Sequence, residues 1–303
     1  MRYRPLGVTG TVVSALSLVL KDSQARSRVQ DWEELVYAAL ECGINTFEVT
    51  GKNPAIADGL ARAIHAIERR LVFISWRLGA SHPLNGQPHR DFSPEGLQRG
   101  VETVLARTGF PYLDAVILDD PLAAELSLYA LDRLKDFRAS GAVRRLGVAG
   151  EDEAMDAYIS SGAFDIVCTP FSLISGWKER LRLKAAIDQD MAIFGYDFHP
   201  ERFQRGQAAA TSPKPGRSGA SPLAGAGTYA FLDKTPNWTA ERLCLAYALT
   251  EPALASVQIA TDRPDRLTEL AEVTERELPP GSAAQIEMAR FAPPPSADRT
   301  RRA

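Results

Sequence analysis

Glu48, Asn53, Arg77 and Asp119 lie in or just after short apolar runs, and each has a fixed chemical limit. The Asn53 amide has no proton to give near neutral pH. Arg77 holds its proton and cannot relay one. Asp119, with an ordinary pKa of about 3.9, is charged at pH 7 and would repel a carbonyl oxygen gaining negative charge. Glu48 adds a second carboxylate. Tyr196 offers a phenol, and His199 follows it by three residues. Histidine titrates near neutrality, so His82, His89 and His199 are the alternative acids. His82 and His89 read more simply as residues of a solvated loop. Cys42, Cys168 and Cys244 are odd in number and widely spaced, which suits small apolar core residues rather than disulfides or metal ligands.

The elements that would position these groups follow one rhythm. Apolar runs predict strands at Val13–Leu20, Ile44–Val49, Leu71–Leu78, Leu113–Leu118, Ala142–Val148, Phe164–Phe171, Met191–Tyr196 and Ala255–Ile259. Amphipathic stretches between them predict helices at Asp31–Cys42, Ala55–Arg69, Ser93–Arg107, Ser127–Ala139, Asp152–Ser160, Trp177–Gln189, Thr239–Thr250 and Pro264–Glu275. Parallel strands need crossover helices, and eight strand–helix units favour a closed (β/α)8 TIM barrel over an open sheet. The segment Arg2–Val12, with its Thr9-Gly10 turn, predicts a short N-terminal hairpin closing the barrel floor. The expected layout is one barrel over residues 1–290 and a disordered tail rich in Pro and Arg over 291–303. Gly206–Gly227, with Lys214 and Arg217 inside it, reads as a loop at the barrel mouth.

Composition narrows the function. A net charge of -3 argues against general nucleic-acid binding. No window approaches 18 consecutive apolar residues, and Met1–Gly10 lacks the apolar core of a secretory signal, so no membrane span and a cytoplasmic location are expected.

Several segments resemble bacterial aldo-keto reductases. Met1-Arg-Tyr-Arg-Pro-Leu-Gly-Val-Thr-Gly10 resembles their opening. Gly43-Ile-Asn-Thr-Phe-Glu48 resembles Gly-Ile-Asn-x-Phe-Asp, and Tyr112-Leu-Asp-Ala-Val-Ile-Leu-Asp119-Asp-Pro121 resembles Tyr-Leu-Asp-x-x-x-Leu-His-x-Pro. Ser256–Leu267 is similar to the family's eighth strand and cofactor loop. The resemblance implies an NADPH-dependent carbonyl reductase fold with an Asp-Tyr-Lys-His tetrad. Those four positions fall on Glu48, Asn53, Arg77 and Asp119, so the resemblance implies a degenerate tetrad. Removing a general acid costs about 10²–10⁴ in rate, and removing an oxyanion donor about another 10²–10³.

The resemblance divides the cofactor site in two. The family's nicotinamide-carboxamide anchors fall on Ala149, Gly150 and Cys168, which cannot serve, although Tyr196 keeps the ring-stacking position. On the adenosine side, Thr261, Asp262, Arg263, Arg266 and Glu269 are the expected cofactor contacts. Asp262 stands where the family places an Arg for the NADP 2′-phosphate, which implies NAD(H); as a helix N-cap it would need no ligand at all. Within the family this pattern resembles the oxidoreductase-like, KidO-type regulators of bacterial cell division. The implied activity is a non-catalytic NAD(H)-binding regulator with a protein partner such as FtsZ or a cell-cycle kinase. The alternative is an active NAD(P)H-dependent carbonyl oxidoreductase with rewired acid–base groups.

Overall fold

The computed structural model describes residues 1–81, 89–200, 232 and 235–291. His82, the Gly206–Gly227 loop and all but the first residue of the expected tail lie outside the described residues.

The chain opens with β1 (Tyr3–Pro5) and β2 (Val12–Ser14), paired antiparallel. The barrel then begins: β3 (Leu16–Leu20), α1 (Val29–Glu41), β4 (Thr46–Val49), α2 (Pro54–His65), β5 (Phe73–Leu78). A small antiparallel pair follows, β6 (Ala80–Ser81) and β7 (His89–Arg90). Next come α3 (Pro94–Thr108), β8 (Ala115–Asp119), α4 (Leu128–Ala139), β9 (Leu146–Ala149), α5 (Ala154–Ser160), β10 (Ile166–Pro170), α6 (Trp177–Asp188) and β11 (Ala192–Tyr196). The chain ends with α7 (Ala240–Leu249), β12 (Leu254–Ile259), α8 (Pro264–Ala271) and α9 (Pro280–Phe291). Strands β3, β4, β5, β8, β9, β10, β11 and β12 close into one parallel barrel, with β12 paired back to β3.

The expected eight-stranded barrel and hairpin are both present, with differences of detail in where elements begin and end. The run Val13–Leu20 is not one strand: Val12–Ser14 turns away to pair with β1, and the barrel strand starts at Leu16. The predicted eighth helix also tightens into a 3-10 turn after Ala271. The α9 helix and the β6–β7 pair have no counterpart in the sequence reading.

Alternation along the strands divides two cores. Leu16, Leu18 and Leu20 face outward beneath the helix layer, with Trp32, Leu35 and Val36 of α1 packed in the same cluster. The barrel interior is filled by Phe73, Ala115, Ile117, Ile166, Ala192, Phe194 and Ala255, and the hairpin adds Leu6 and Val13 from below. Phe73 and Phe194 meet edge-on with ring centroids 5.9 Å apart. Going up β4, β5 and β8, the inward positions change from apolar or small residues to Glu48, Arg77 and Asp119. The upper barrel is therefore where charge enters the core.

Candidate functional site

Arg77 lies between two carboxylates. Its Nε donates to Glu48 Oε1 at 2.6 Å and its Nη1 donates to Asp119 Oδ1 at 2.7 Å, tying β4, β5 and β8 together across the mouth. The side chains of Arg77, Glu48 and Asp119 are 14%, 0% and 19% exposed. On the far side of Glu48, the amide nitrogen of Gln258 donates to Oε2 at 2.7 Å. Every polar head of Glu48 is thus engaged, as burial of a carboxylate requires. Burial by itself would lower the Arg77 pKa, but the neighbouring carboxylates of Glu48 and Asp119 outweigh it and raise the value, so the guanidinium stays charged.

Two other protic side chains beside this triad, Tyr196 and Cys168, are weak acids. Tyr196 has its ring centroid 5.7 Å from the Arg77 guanidinium carbon. Burial, reinforced by Glu151, pushes its phenol well above the usual range, which makes it a poorer proton donor. Cys168 is buried, and burial together with Glu48 raises its thiol pKa, so it is held as a neutral thiol. Ala149 and Gly150 follow at the top of β9, and neither has a polar side chain. His89 is exposed on β7, and His199 lies on the segment after β11.

Asn53 is not bonded to the triad. It caps α2: its side-chain oxygen accepts from Ala55 N at 3.0 Å, and Pro54 fills the first helical position. Its own backbone N–H and that of Lys52 donate to Asp22 Oδ1 at 2.8 and 3.0 Å. This close approach explains Gly51, where a Cβ would lie 2.8 Å from the Asp22 nitrogen. Lys52 rides on the same loop. Although its side chain reaches solvent, crowding by the surrounding loops lowers its pKa, opposed by Asp119 and Asp22.

On the adenosine side the expected residues come together but are already partnered. Asp262 does not cap α8, a correction to the capping reading: the cap position is Arg263. The Asp262 carboxylate instead accepts from Ser23 Oγ at 2.6 Å, and its carbonyl accepts from Arg26. The next turn of chain places Arg263, not Asp262, at the helix start, so the carboxylate is free to reach across to the loop after β3. Arg263 pairs with Asp265, and Arg266 pairs with Glu241 at 2.5 Å. Thr261 Oγ1 accepts from Arg263 N at 3.1 Å, and the Glu269 side chain is exposed.

Between the loops after β3 and β12 is a cleft of about 170 Å³, lined by Lys21, Asp22, Ser23, Thr261, Asp262 and Trp32. The Trp32 indole N–H is buried and has no hydrogen-bond partner among the described residues. Gln258, Lys52 and Asp22 were missed by sequence reasoning. Gln258 alone had a usable signal, its inward parity on the last barrel strand.

The residues from 19 to 290 match the model of the Aldo/keto reductase family. The chain belongs to the aldo/keto reductase family. Among solved structures it is similar to an aldo-keto reductase from Bacillus halodurans in its holo form, at 14% identity and a TM-score of 0.77, covering 95% of this chain and 96% of that one. It is also similar to a putative aldo-keto reductase from Pseudomonas aeruginosa, at 18% identity and a TM-score of 0.66, covering 89% and 93%. No curated protein matches the sequence. No helix among the described residues is long and apolar enough to cross a membrane.

The family generally uses a nicotinamide dinucleotide. The fit of this chain to that group differs between its two ends. The 170 Å³ cleft suits part of an adenosine: it has hydroxyl and carboxylate partners for ribose and an indole N–H without a partner. The nicotinamide end does not fit in the family's manner, because Ala149, Gly150 and Cys168 supply no carboxamide anchor and Arg77 is committed to Glu48 and Asp119.

Proposed function

We propose that this chain is a non-reducing member of its family that binds NAD(H) and relays occupancy to a protein partner. The observation that carries the reading is the Glu48–Arg77–Asp119 triad. A carbonyl reduction needs a proton donor and a positive or neutral donor beside the developing oxyanion. The triad supplies a cation that keeps its proton and two carboxylates that already accept from it. The Tyr196 phenol, whose ring is 5.7 Å from the Arg77 guanidinium carbon, is shifted away from acidity. Together these changes remove about 10⁴–10⁷ of the rate.

The NAD(H) preference rests on Asp262. Its carboxylate borders the cleft, while Arg263 and Arg266 are held by Asp265 and Glu241. A 2′-phosphate there would meet a repulsion of about 1–2 kcal/mol after screening, or about tenfold in affinity. From the resemblance to oxidoreductase-like regulators of cell division, the partner we propose is a protein of the division machinery such as FtsZ, with a cell-cycle kinase as the alternative.

Calorimetric titration with NADH, NAD+, NADPH and NADP+ tests the cofactor half, with tighter binding of the NAD pair expected. Equal or tighter NADPH binding would sink the preference. Absence of heat with all four would sink the regulator reading. NADH oxidation with a panel of aldehydes tests the other half; turnover above about 1 s⁻¹ would overturn it.

One observation favours the second reading, an oxidoreductase with relocated groups. Lys52 stands on the mouth loop with a lowered pKa and feels Asp119. If it supplies the proton, aldehyde turnover will be measurable and Lys52→Met will abolish it.

A further inference from the structure

A groove of about 620 Å³ runs between α5 and α6, lined by none of the triad residues and by none of those lining the cleft between the loops after β3 and β12. Trp177 and Leu181 of α6 line it and are 69% and 55% exposed. On the other flank of α5, Leu122, Leu128 and Tyr129 are 49%, 77% and 80% exposed, and the Tyr158 hydroxyl of α5 donates to the Leu122 carbonyl at 3.1 Å. Single exposed apolar residues are ordinary, but a large aromatic and a leucine facing one groove are not. Tryptophan is among the residues that most often anchor protein interfaces.

The rim of the groove is acidic. Glu151, Asp152 and Glu153 are exposed, and none forms an ion pair among the described residues. Two cations line the groove against five carboxylates, Glu151, Asp152, Glu153, Asp156 and Glu179: Lys178 is exposed on α6, and Arg182 is used internally. It donates to the carbonyls of Glu151 and Asp152 at 2.9 and 3.1 Å and to Asp156 Oδ1 at 3.0 Å. This strut holds the acidic loop against α6 without neutralising the three carboxylates in front. The loop beyond is braced too: Glu125 accepts from Arg90 at 2.8 and 2.5 Å and from Leu122 N at 2.9 Å. The surface is therefore pre-organised, which lowers the ordering cost of binding. No group of acidic, His or Cys side chains among the described residues is arranged to hold a metal ion, so the acids are not explained as a cation site.

We propose that this groove docks a segment of a partner protein in which Lys or Arg residues flank an apolar side chain. The apolar anchor would lie on Trp177 and Leu181, and the flanking cations would face Glu151, Asp152 and Glu153. The proposal gives a surface and a partner chemistry to the regulator reading and rests on it. Its test is independent of any dinucleotide.

The probe is a short fluorescein-labelled peptide with Lys and Arg on either side of a Leu-Phe pair, titrated with the full chain and followed by anisotropy. Two control peptides keep the basic residues with Ser in place of the anchor, or keep the anchor with Glu in place of the basic residues. Binding of the first peptide, at least about tenfold tighter than either control and weakened by salt, is the expected result. Trp177→Ala and Glu153→Lys should each weaken it about tenfold, with folding checked by circular dichroism, while Glu102→Lys on α3 should leave it unchanged. No binding, equal binding of the controls, or insensitivity to both groove variants would overturn the proposal. So would concentration-dependent dimerisation abolished by Trp177→Ala, since the occupant would then be a second copy. Failure of NADH to bind in calorimetry would count against the regulator reading while leaving the peptide result to stand or fall by itself.

Discussion

Replacing Arg77 with Met removes one cation and leaves two carboxylates facing each other in the upper barrel. Glu48 is fully buried and keeps the Gln258 amide and the weak Cys168 thiol donor on its other oxygen, whereas Asp119, at 19% exposure, can recruit some water. Deleting one partner of a buried pair costs about 3–5 kcal/mol, because the other charge is stranded. Here Glu48 should supply most of that cost. Against a total stability of about 5–15 kcal/mol this is a large fraction. Urea unfolding at neutral pH, followed by far-UV circular dichroism, should show the midpoint falling by about 1–2 M. The raised Arg77 pKa means that its contribution is fully present below the ordinary arginine value and is lost only at still higher pH. The wild type should therefore show no pH-dependent loss from this group through the neutral range. The triple variant Arg77→Met, Glu48→Gln, Asp119→Asn removes the charges together and should recover much of the loss. A single variant within about 1 kcal/mol of wild type, or a triple variant no more stable than the single one, would refute the reasoning.

Asn53→Ala should cost about 1 kcal/mol by unfolding, the price of the α2 cap, and should leave dinucleotide binding unchanged. With a thiol reagent, the native protein should react first at half-exposed Cys42, while buried Cys168 and Cys244, whose thiols are pushed up by burial, should react only on unfolding. Mass mapping of the labelled cysteines checks the order. The Glu125 carboxyl, lowered to about 2 chiefly by its hydrogen bond from Arg90, gives the clamp a pH signature. Its contribution is present above the ordinary glutamate value and is lost as the pH falls toward about 2. It should be under about 1 kcal/mol, because the pair is near the surface. The stability gap between wild type and Arg90→Ala should therefore narrow on acidification, and a gap that widens would contradict the assignment.

The sequence by itself determined the barrel. Eight apolar runs alternating with amphipathic helices admit few other packings, because strand periodicity and crossover connections are local properties of the chain. It also put Glu48, Arg77 and Asp119 at the upper ends of barrel strands, and the resemblance to the family's tetrad implied that they would gather there. What they do to one another was decided only by tertiary structure. The ion triad depends on the offset between neighbouring strands, with Glu48 level with Ser75 and Arg77 level with Ile117, and no single strand encodes that offset. Gln258 joined the site for the same reason, from 210 residues away in sequence. Asn53 went the other way: adjacent to Pro54 and two residues before Ala55, it was captured by a local helix cap instead of the barrel mouth. Asp262 likewise gave up the expected cap once folding brought Ser23 within 2.6 Å. Local chemistry names a residue's options, and the long-range contacts that burial enforces choose among them.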